Sequence, residues 1–503
     1  LTTRAPAAYH RRVPQMAPLP PTADWWERSA RFLLILFAAA LPHSIAVAQA
    51  LAGAALLLWA GGHLARRQRP ARTPLDLSIL LFVGATVLAA VFSLEPSVSV
   101  SKLGRTALIL IVPLAAGLIA SRRQAIVLAL VLVASAGVGA LVTLGEKALG
   151  RGVDVVEIAR DSPLRGRVRP HDVLLECDGQ AIRGPAHFEE LLARHDRSRP
   201  LRCEGMRAGM LPFAFKLGPK RFPREPGPDG WGYRVKVGRG LRARGTYSHP
   251  VTYAEVLLQL TALLGGLWLA CPRKTSRAGA ALFFAGLLLL AALAATFTRA
   301  SWAALAVAGL AMLGMRLGWR WSLLMLGPAA TALVGANQLL VRWRGVGFYN
   351  PADTSIQYRW MMWEDGWRLI REHPLLGIGM DSVLSRWQEL GLRAYQQFGL
   401  VSHFHSTPIQ IAVERGLLGL AAWLLLMVLY LRLLAQLALR TRAASDWREH
   451  GLALGLFGAA CGFLASGLVH YNFGDSEVVM VFWLLVGVAL ALDRMTRPAA
   501  DAT

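Results

Sequence analysis

The sequence predicts an all-α polytopic membrane protein of about 12 transmembrane helices, with one small α+β domain inserted between two of them. Three observations lead there. Of 503 residues, 54% are hydrophobic and 17% charged, against roughly 25% charged in an ordinary soluble chain, and the mean hydropathy is +0.42. A soluble fold of this size cannot cover that much apolar surface, and a disordered chain would lack it. The apolar residues gather in runs approaching the roughly 20 needed to cross a bilayer. Basic residues recur in every second interval between those runs, the pattern that orients a spanning chain.

Residues 1–30, rich in Pro, Arg and Thr, read as a cytoplasmic tail. Spans follow near 32–44, 45–61, 75–93, 104–120 and 125–146, then 251–271, 278–298, 300–315 and 322–340, then 414–431, 451–469 and 477–493. The first two are short and separated only by Pro42-His43-Ser44, so they read as two spans or one kinked span; the charges favour two. Arg28 and Arg31 before an apolar run, with Ala46-Val47-Ala48 beyond, also resemble a cleavable signal. Cleavage would leave 51–60 with no span before it, so retention is expected.

With the first segment inside, the cytoplasmic intervals receive Arg66, Arg67, Arg69 and Arg72; Arg122 and Arg123; Arg273, Lys274 and Arg277; Arg316 and Arg320; Arg432, Arg440, Arg442 and Arg448; and Arg494 and Arg497. The short outer turns carry little beyond Lys102 and Arg299. Lys plus Arg number 54 and Asp plus Glu 31, a net charge of +23, and most of it is this orientation signal. No basic cluster carries interleaved aromatics, so nucleic acid is not an expected partner. The expected organisation is spans 1–5 over 31–147, an outer insertion and linker over 148–240, spans 6–9 over 241–340, a long outer loop over 341–413, and spans 10–12 with a cytoplasmic tail over 414–503.

The composition changes at Gly150. Alternation in Val155–Ile158, Asp172–Gln180, Leu201–Met206 and Leu211–Leu217, a helical pattern in Ala186–His195 and the turn signal Asp178-Gly179 describe a small α+β domain. Residues 218–240, rich in Pro, Gly and basic side chains, read as a linker. Ser162-Pro163-Leu164 followed by Val168-Arg169-Pro170-His171-Asp172-Val173-Leu174 and Asp178-Gly179 resembles the core of a bacterial PDZ domain, with His171 and Asp178 where Gly and Asn are usual. The resemblance implies a peptide or protein partner captured by strand addition; a spacer that positions the outer face is the other reading. Cys177 and Cys203 both fall in strands here and are expected as a disulfide or as two buried thiols.

Three outer features carry chemistry. Arg242-Ala243-Arg244-Gly245-Thr246-Tyr247-Ser248-His249-Pro250 stands directly before a span. Thr296-Phe297-Thr298-Arg299 forms a hinge between two spans and places a cation where the charge rule disfavours it. Ser402-His403-Phe404-His405-Ser406 leads through Gln410 to Glu414-Arg415-Gly416-Leu417-Leu418-Gly419. With Arg359, Trp363 and Pro374-Leu375-Leu376-Gly377-Ile378-Gly379, these elements are similar to the motifs of the O-antigen ligase and polymerase superfamily, the WaaL- and Wzy-type membrane glycosyltransferases. The similarity covers about 400 residues, and its most specific element is the one around His405.

The resemblance implies a GT-C-like bundle in the bacterial inner membrane. Its active site would face the periplasm and transfer a glycan from an undecaprenyl-diphosphate carrier to lipid A-core, with membrane lipids around it and no cofactor or metal. Arg242 and Arg299 would be the catalytic cations, since guanidinium groups bind phosphate oxygens bidentately. His405 would be the catalytic base, acting opposite the leaving group and so inverting the anomeric carbon. Arg244, His249, Arg359, His403 and Glu414 would bind substrate. The adjacent Glu364-Asp365 reads as a solvated helix face or, alternatively, a divalent-ion site. A helix around Trp360, Trp363, Trp367 and Trp387 is expected to lie on the outer leaflet as a lid. A polysaccharide polymerase, a protein O-oligosaccharyltransferase and, outside enzymes, a secondary transporter remain alternatives; the lack of an internal repeat and the scarcity of mid-span charge count against transport.

Overall fold

The computed structural model describes residues 24–207, 209, 211–222, 231–344, 347–348, 354–399 and 403–497. All twelve expected spans fall on helices. Before the insertion these are α1 (Asp24–Ala40), α2 (Ile45–Ala65), α3 (Asp76–Val91), α4 (Ile111–Leu118) and α5 (Arg122–Leu149). After the insertion, which holds α6 (Pro185–Arg194), come α7 (Pro250–Ala270), α8 (Arg277–Ala295), α9 (Arg299–Leu317) and α10 (Trp319–Arg344). α11 (Thr354–Glu372) lies in the long loop, and α12 (Thr407–Arg440), α13 (Trp447–Gly467) and α14 (Ser476–Thr496) complete the chain.

Length and apolarity correct the expected count. Among the described residues nine helical stretches are long and apolar enough to cross a membrane. α1 and α3 are only 17 and 16 residues long. α10 has the length, but it carries Arg320, Pro328, Asn337, Gln338, Arg342 and Arg344. The fourth span is not one regular helix: Pro96–Ser101 and a 3-10 stretch, Leu103–Leu110, lead into α4.

The core is built on α7, α13 and α14, whose residues are buried nearly all round. Glycines set the closest approach. A Cβ on Gly266 would meet Gly455 N at 2.1 Å, and one on Gly455 would meet Leu263 O at 2.3 Å. Small residues at helix contacts let backbones touch where no hydrophobic drive separates protein from lipid.

The basic ends gather on one side of the bundle. Arg122 reaches Glu449 (3.1 Å) and the Met495 carbonyl (2.9 Å), Arg494 the Ile119 carbonyl (2.9 Å), Arg497 and Arg440 share Asp493, and Arg442 reaches Met315 O. Arg66 closes on Glu27 (3.5 Å). These contacts join segments far apart in sequence, so the alternation read along the chain is a physical face.

On the other side α12 is broken at Gly416 (φ 64°). The break receives the loop Pro374–Gly379: Leu417 N donates to Pro374 O (2.7 Å), Ile378 N to Val413 O (2.9 Å) and Gly379 N to Glu414 O (3.0 Å). A Cβ on Gly416 would lie 2.1 Å from Leu375 O, so both the conformation and the space require glycine.

The insertion is an antiparallel sheet in the order β5-β4-β2-β1-β6, with β3 on β2; its described residues also form the helix α6 and a 3-10 turn, Pro219–Arg221. Its strands are β1 (Val153–Ile158), β2 (Val173–Cys177), β3 (Gln180–Ala181), β4 (Leu201–Arg207), β5 (Leu211–Leu217) and β6 (Tyr233–Val237). Cys177 and Cys203 face each other across β2 and β4 and form a disulfide. The segment read as a linker, 218–240, contains β6. Its alternation, Tyr233-Val235-Val237, pairs with β1 from Ile158↔Tyr233 to Val153↔Val237, and the Tyr233 ring packs on Phe188 of α6 at 5.3 Å. The Pro- and Gly-rich flanks hid a five-residue strand. β6 thus covers the edge of β1, and β5 and β6 are the outer strands of the sheet.

Candidate functional site

The site lies at the end of the bundle opposite the basic cluster, where the insertion, the α8–α9 hairpin and the loop before α12 meet. Arg242 is the first piece. Its Nε donates to Thr296 O (2.6 Å) and its Nη2 to Thr298 Oγ1 (2.8 Å). Thr296 and Thr298 are buried and bonded to each other (3.1 Å). Arg299 follows and starts α9; its Nη1 donates to the carbonyls of Gly347 and Phe348, the latter at 3.4 Å. The threonine-x-threonine-arginine hairpin therefore fastens one arginine and carries the next.

The backbone leading to Arg242 is held from two sides. Asp154 of β1 accepts the N–H groups of Arg239 (3.1 Å) and Gly240 (3.0 Å). Lys147 at the end of α5 donates to Arg239 O (2.9 Å) and Leu241 O (2.7 Å), and Arg242 N donates to Gly209 O in the β4–β5 turn (3.1 Å). Arg244 is exposed, and its carbonyl accepts Tyr247 N–H (3.0 Å).

The second piece is a group of imidazoles. The rings of His403 and His405 are 4.3 Å apart; His405 meets Tyr358 at 5.5 Å and His403 meets Tyr471 at 5.6 Å. His405 adopts φ 48°, a conformation uncommon outside glycine and often found at functional sites. Gln410 fixes the turn by accepting Phe404 N–H (2.8 Å), and Trp363 Nε1 donates to Phe404 O (2.9 Å). Ser402 lies outside the described residues. His249 caps α7, its Nδ1 accepting Val251 N–H at 3.2 Å.

Burial first, and then surrounding positive charge, keeps these rings neutral. His403 is pushed down to about 4, with His470, Arg359 and His249 adding to burial. His405 is pushed down to about 2, with His403, Arg359, His470 and His249 adding to it. His249 is exposed at the cap of α7, and there partial desolvation, then Arg242 and His470, lower its pKa in the same direction. These groups act on one another, so Arg242, Arg359, His249, His403, His405 and His470 belong to one electrostatic neighbourhood.

Glu414 has another set of partners. It is buried and accepts from Gln410 (2.8 Å), Asp381 N (3.2 Å), Arg415 (3.2 Å) and Tyr471 (3.4 Å). It ties the loop to the break in α12 and reaches the histidine turn through Gln410 and Tyr471. Glu364 and Asp365 are both engaged by Arg393, at 2.8 Å and 3.1 Å. The face of α11 carrying Trp360 and Trp367 is exposed.

Sequence reasoning missed Glu255 and His470. Glu255, one turn into α7, is fully enclosed. It accepts from His470 Nδ1 (2.9 Å), Ser301 (3.1 Å), Ser466 and Asn472 Nδ2 (3.2 Å). Thr407 buttresses the group through His470 O (3.1 Å) and Asn472 Oδ1 (2.9 Å). A carboxylate inside a predicted span was the available signal, because intramembrane charges are functional candidates by default.

The fold and site define a multi-pass helical membrane protein with an arginine–threonine clamp beside neutral histidines at one end of its bundle. Residues 284–424 match the model of the O-antigen ligase family. The matched stretch includes Arg299, Arg359, His403, His405 and Glu414. A comparison with curated proteins finds no match.

Proposed function

We propose that this protein is an O-antigen ligase that transfers a glycan from undecaprenyl diphosphate to lipid A-core on the periplasmic side of the inner membrane. The observation that carries the reading is the fastening of Arg242 to Thr296 and Thr298, directly beside Arg299. Two guanidinium groups at one hairpin suit a diphosphate leaving group, whose charge grows as the glycosidic bond breaks. Fixed cations at the end of a membrane bundle are reachable by a lipid-linked donor that need not leave the bilayer.

The acceptor hydroxyl approaches from the imidazole side, with His405 as the candidate base. Burial keeps its ring neutral and able to accept a proton. A bound diphosphate adds negative charge and raises the basicity of the neighbouring rings. One base opposite the leaving group gives direct displacement and inversion. Arg359, His403, His249 and Arg244 are assigned to substrate binding, and Glu414 to holding the loop that presents the histidines.

The test uses full-length protein and an undecaprenyl-diphosphate-linked glycan. Lipid A-core, free glycan and a serine- and threonine-rich peptide are offered separately, with and without EDTA. Product on lipid A-core that survives EDTA is expected. Product only on glycan makes the protein a polymerase, and product only on peptide a protein oligosaccharyltransferase. Full activity in His405→Ala removes the proposed base.

A further inference from the structure

A base that has received a proton must be able to keep it until the products leave. His405 and His403 are poorly suited to that, enclosed as they are among Arg359, His249 and each other. Among the described residues, His470 is the imidazole of this neighbourhood that bonds a carboxylate, Glu255, which is itself held by Ser301, Ser466 and Asn472. A carboxylate on Nδ1 fixes the tautomer, leaves Nε2 as the proton-accepting atom and stabilises the imidazolium that forms.

We propose that His470, oriented by Glu255, finally holds the proton removed from the acceptor hydroxyl, with the His403–His405 pair passing it on. The inference rests on the transferase reading above. In the step, the acceptor oxygen forms its bond to the anomeric carbon, and the bond from that carbon to the diphosphate oxygen breaks. The electron pair leaves with the diphosphate held by Arg242 and Arg299, and the hydroxyl proton ends on His470 Nε2. Glu255 is a positioning residue, acting through His470. Both residues lie outside the stretch 284–424 that matches the family model.

Among the described residues, the charged and titratable groups that act with His470 are Glu255 from α7, His249 at its cap, His403 and His405 from the loop, with Tyr471 adjoining in sequence and Arg359 of α11 acting on His403 and His405. Asp475 lies five residues on; burial, and then Glu477, push its carboxyl up to about 7. Asp475→Asn therefore serves as the comparison.

The experiment measures transfer against pH in full-length protein, with undecaprenyl diphosphate binding measured in parallel. Glu255→Gln and His470→Gln are each expected to lower transfer about 100-fold or more, with binding changed less than about threefold. Glu255→Gln should also move the acid limb of the rate to lower pH by about one unit or more, since the stabilising charge is gone; Asp475→Asn should not. A merely structural role would lower the rate without moving the limb. Should Glu255→Gln fail to fold, ¹⁵N-histidine spectra of the wild type decide. The His470 ring, assigned by its loss in His470→Gln, is expected with its proton on Nδ1. An Nε2–H tautomer, or full transfer by folded His470→Gln, overturns the proposal. Wild type that binds undecaprenyl diphosphate but transfers to no acceptor instead overturns the transferase reading, and the role of His470 falls with it.

Discussion

Arg242 donates to the hydroxyl of Thr298 at 2.8 Å, and Thr298 is the residue immediately before Arg299. One buried hydroxyl thus couples an arginine at the end of the insertion to an arginine at the start of a helix. Hydrogen bonds to charged groups contribute about 1.5–3 kcal/mol. Thr298→Val should therefore weaken undecaprenyl diphosphate binding by roughly tenfold, while Thr298→Ser, which keeps the hydroxyl, should bind nearly as wild type. Equilibrium binding of a fluorescent carrier analogue checks both.

Asp154 predicts an effect at a distance. Its carboxylate holds the Arg239 and Gly240 amides, so Asp154→Ala should loosen the strap that delivers Arg242. Binding of the same analogue is expected to fall several-fold although Asp154 carries the wrong charge to touch a diphosphate. Unchanged binding in a folded variant would show that the insertion does not position the clamp.

Buried histidines make stability depend on pH. His403 and His405 titrate at about 4 and about 2, against 6.5 for a free histidine. Between those values and 6.5 the unfolded chain binds more protons than the folded one. Stability therefore falls as pH drops below 6.5, and the loss grows until the folded pKa values are reached. Thermal unfolding in detergent should show a lower Tm at pH 5 than at pH 7. In His403→Gln/His405→Gln that slope should flatten.

The disulfide gives a local prediction. Cys177 and Cys203 are 26 residues apart and close one side of the inserted sheet. Losing such a bridge in a small domain costs about 2–5 kcal/mol. Cys177→Ala/Cys203→Ala should raise protease cleavage within 150–240 without changing the unfolding of the helical bundle.

Much of this was legible in the amino-acid order because two patterns are strong. Apolar runs with basic flanks place the helices and the basic face, and Arg242 lies on the threonine hairpin that leads into Arg299. What was lost has physical causes. α1 and α3 are apolar but short, so composition counted them as spans where length does not support it. The strand Tyr233–Val237 was masked by its Pro and Gly neighbours. Glu255 is a single letter in an apolar run, and nothing in linear order pairs it with His470, 215 residues away. Glu414 was read toward substrate because it ends a motif, yet its carboxylate is engaged by Gln410, Asp381 N, Arg415 and Tyr471.

The pairing of β6 with β1 has a further consequence. Arg151 N donates to Gly238 O at 2.7 Å, and Gly238 N donates to Gly152 O at 3.0 Å. The chain leaves the bundle and returns to it through neighbouring residues. A whole folded module can therefore be gained, lost or exchanged at this point in one genetic event, with a short turn closing the gap. A membrane protein built this way can vary the module it carries while its helical bundle stays the same.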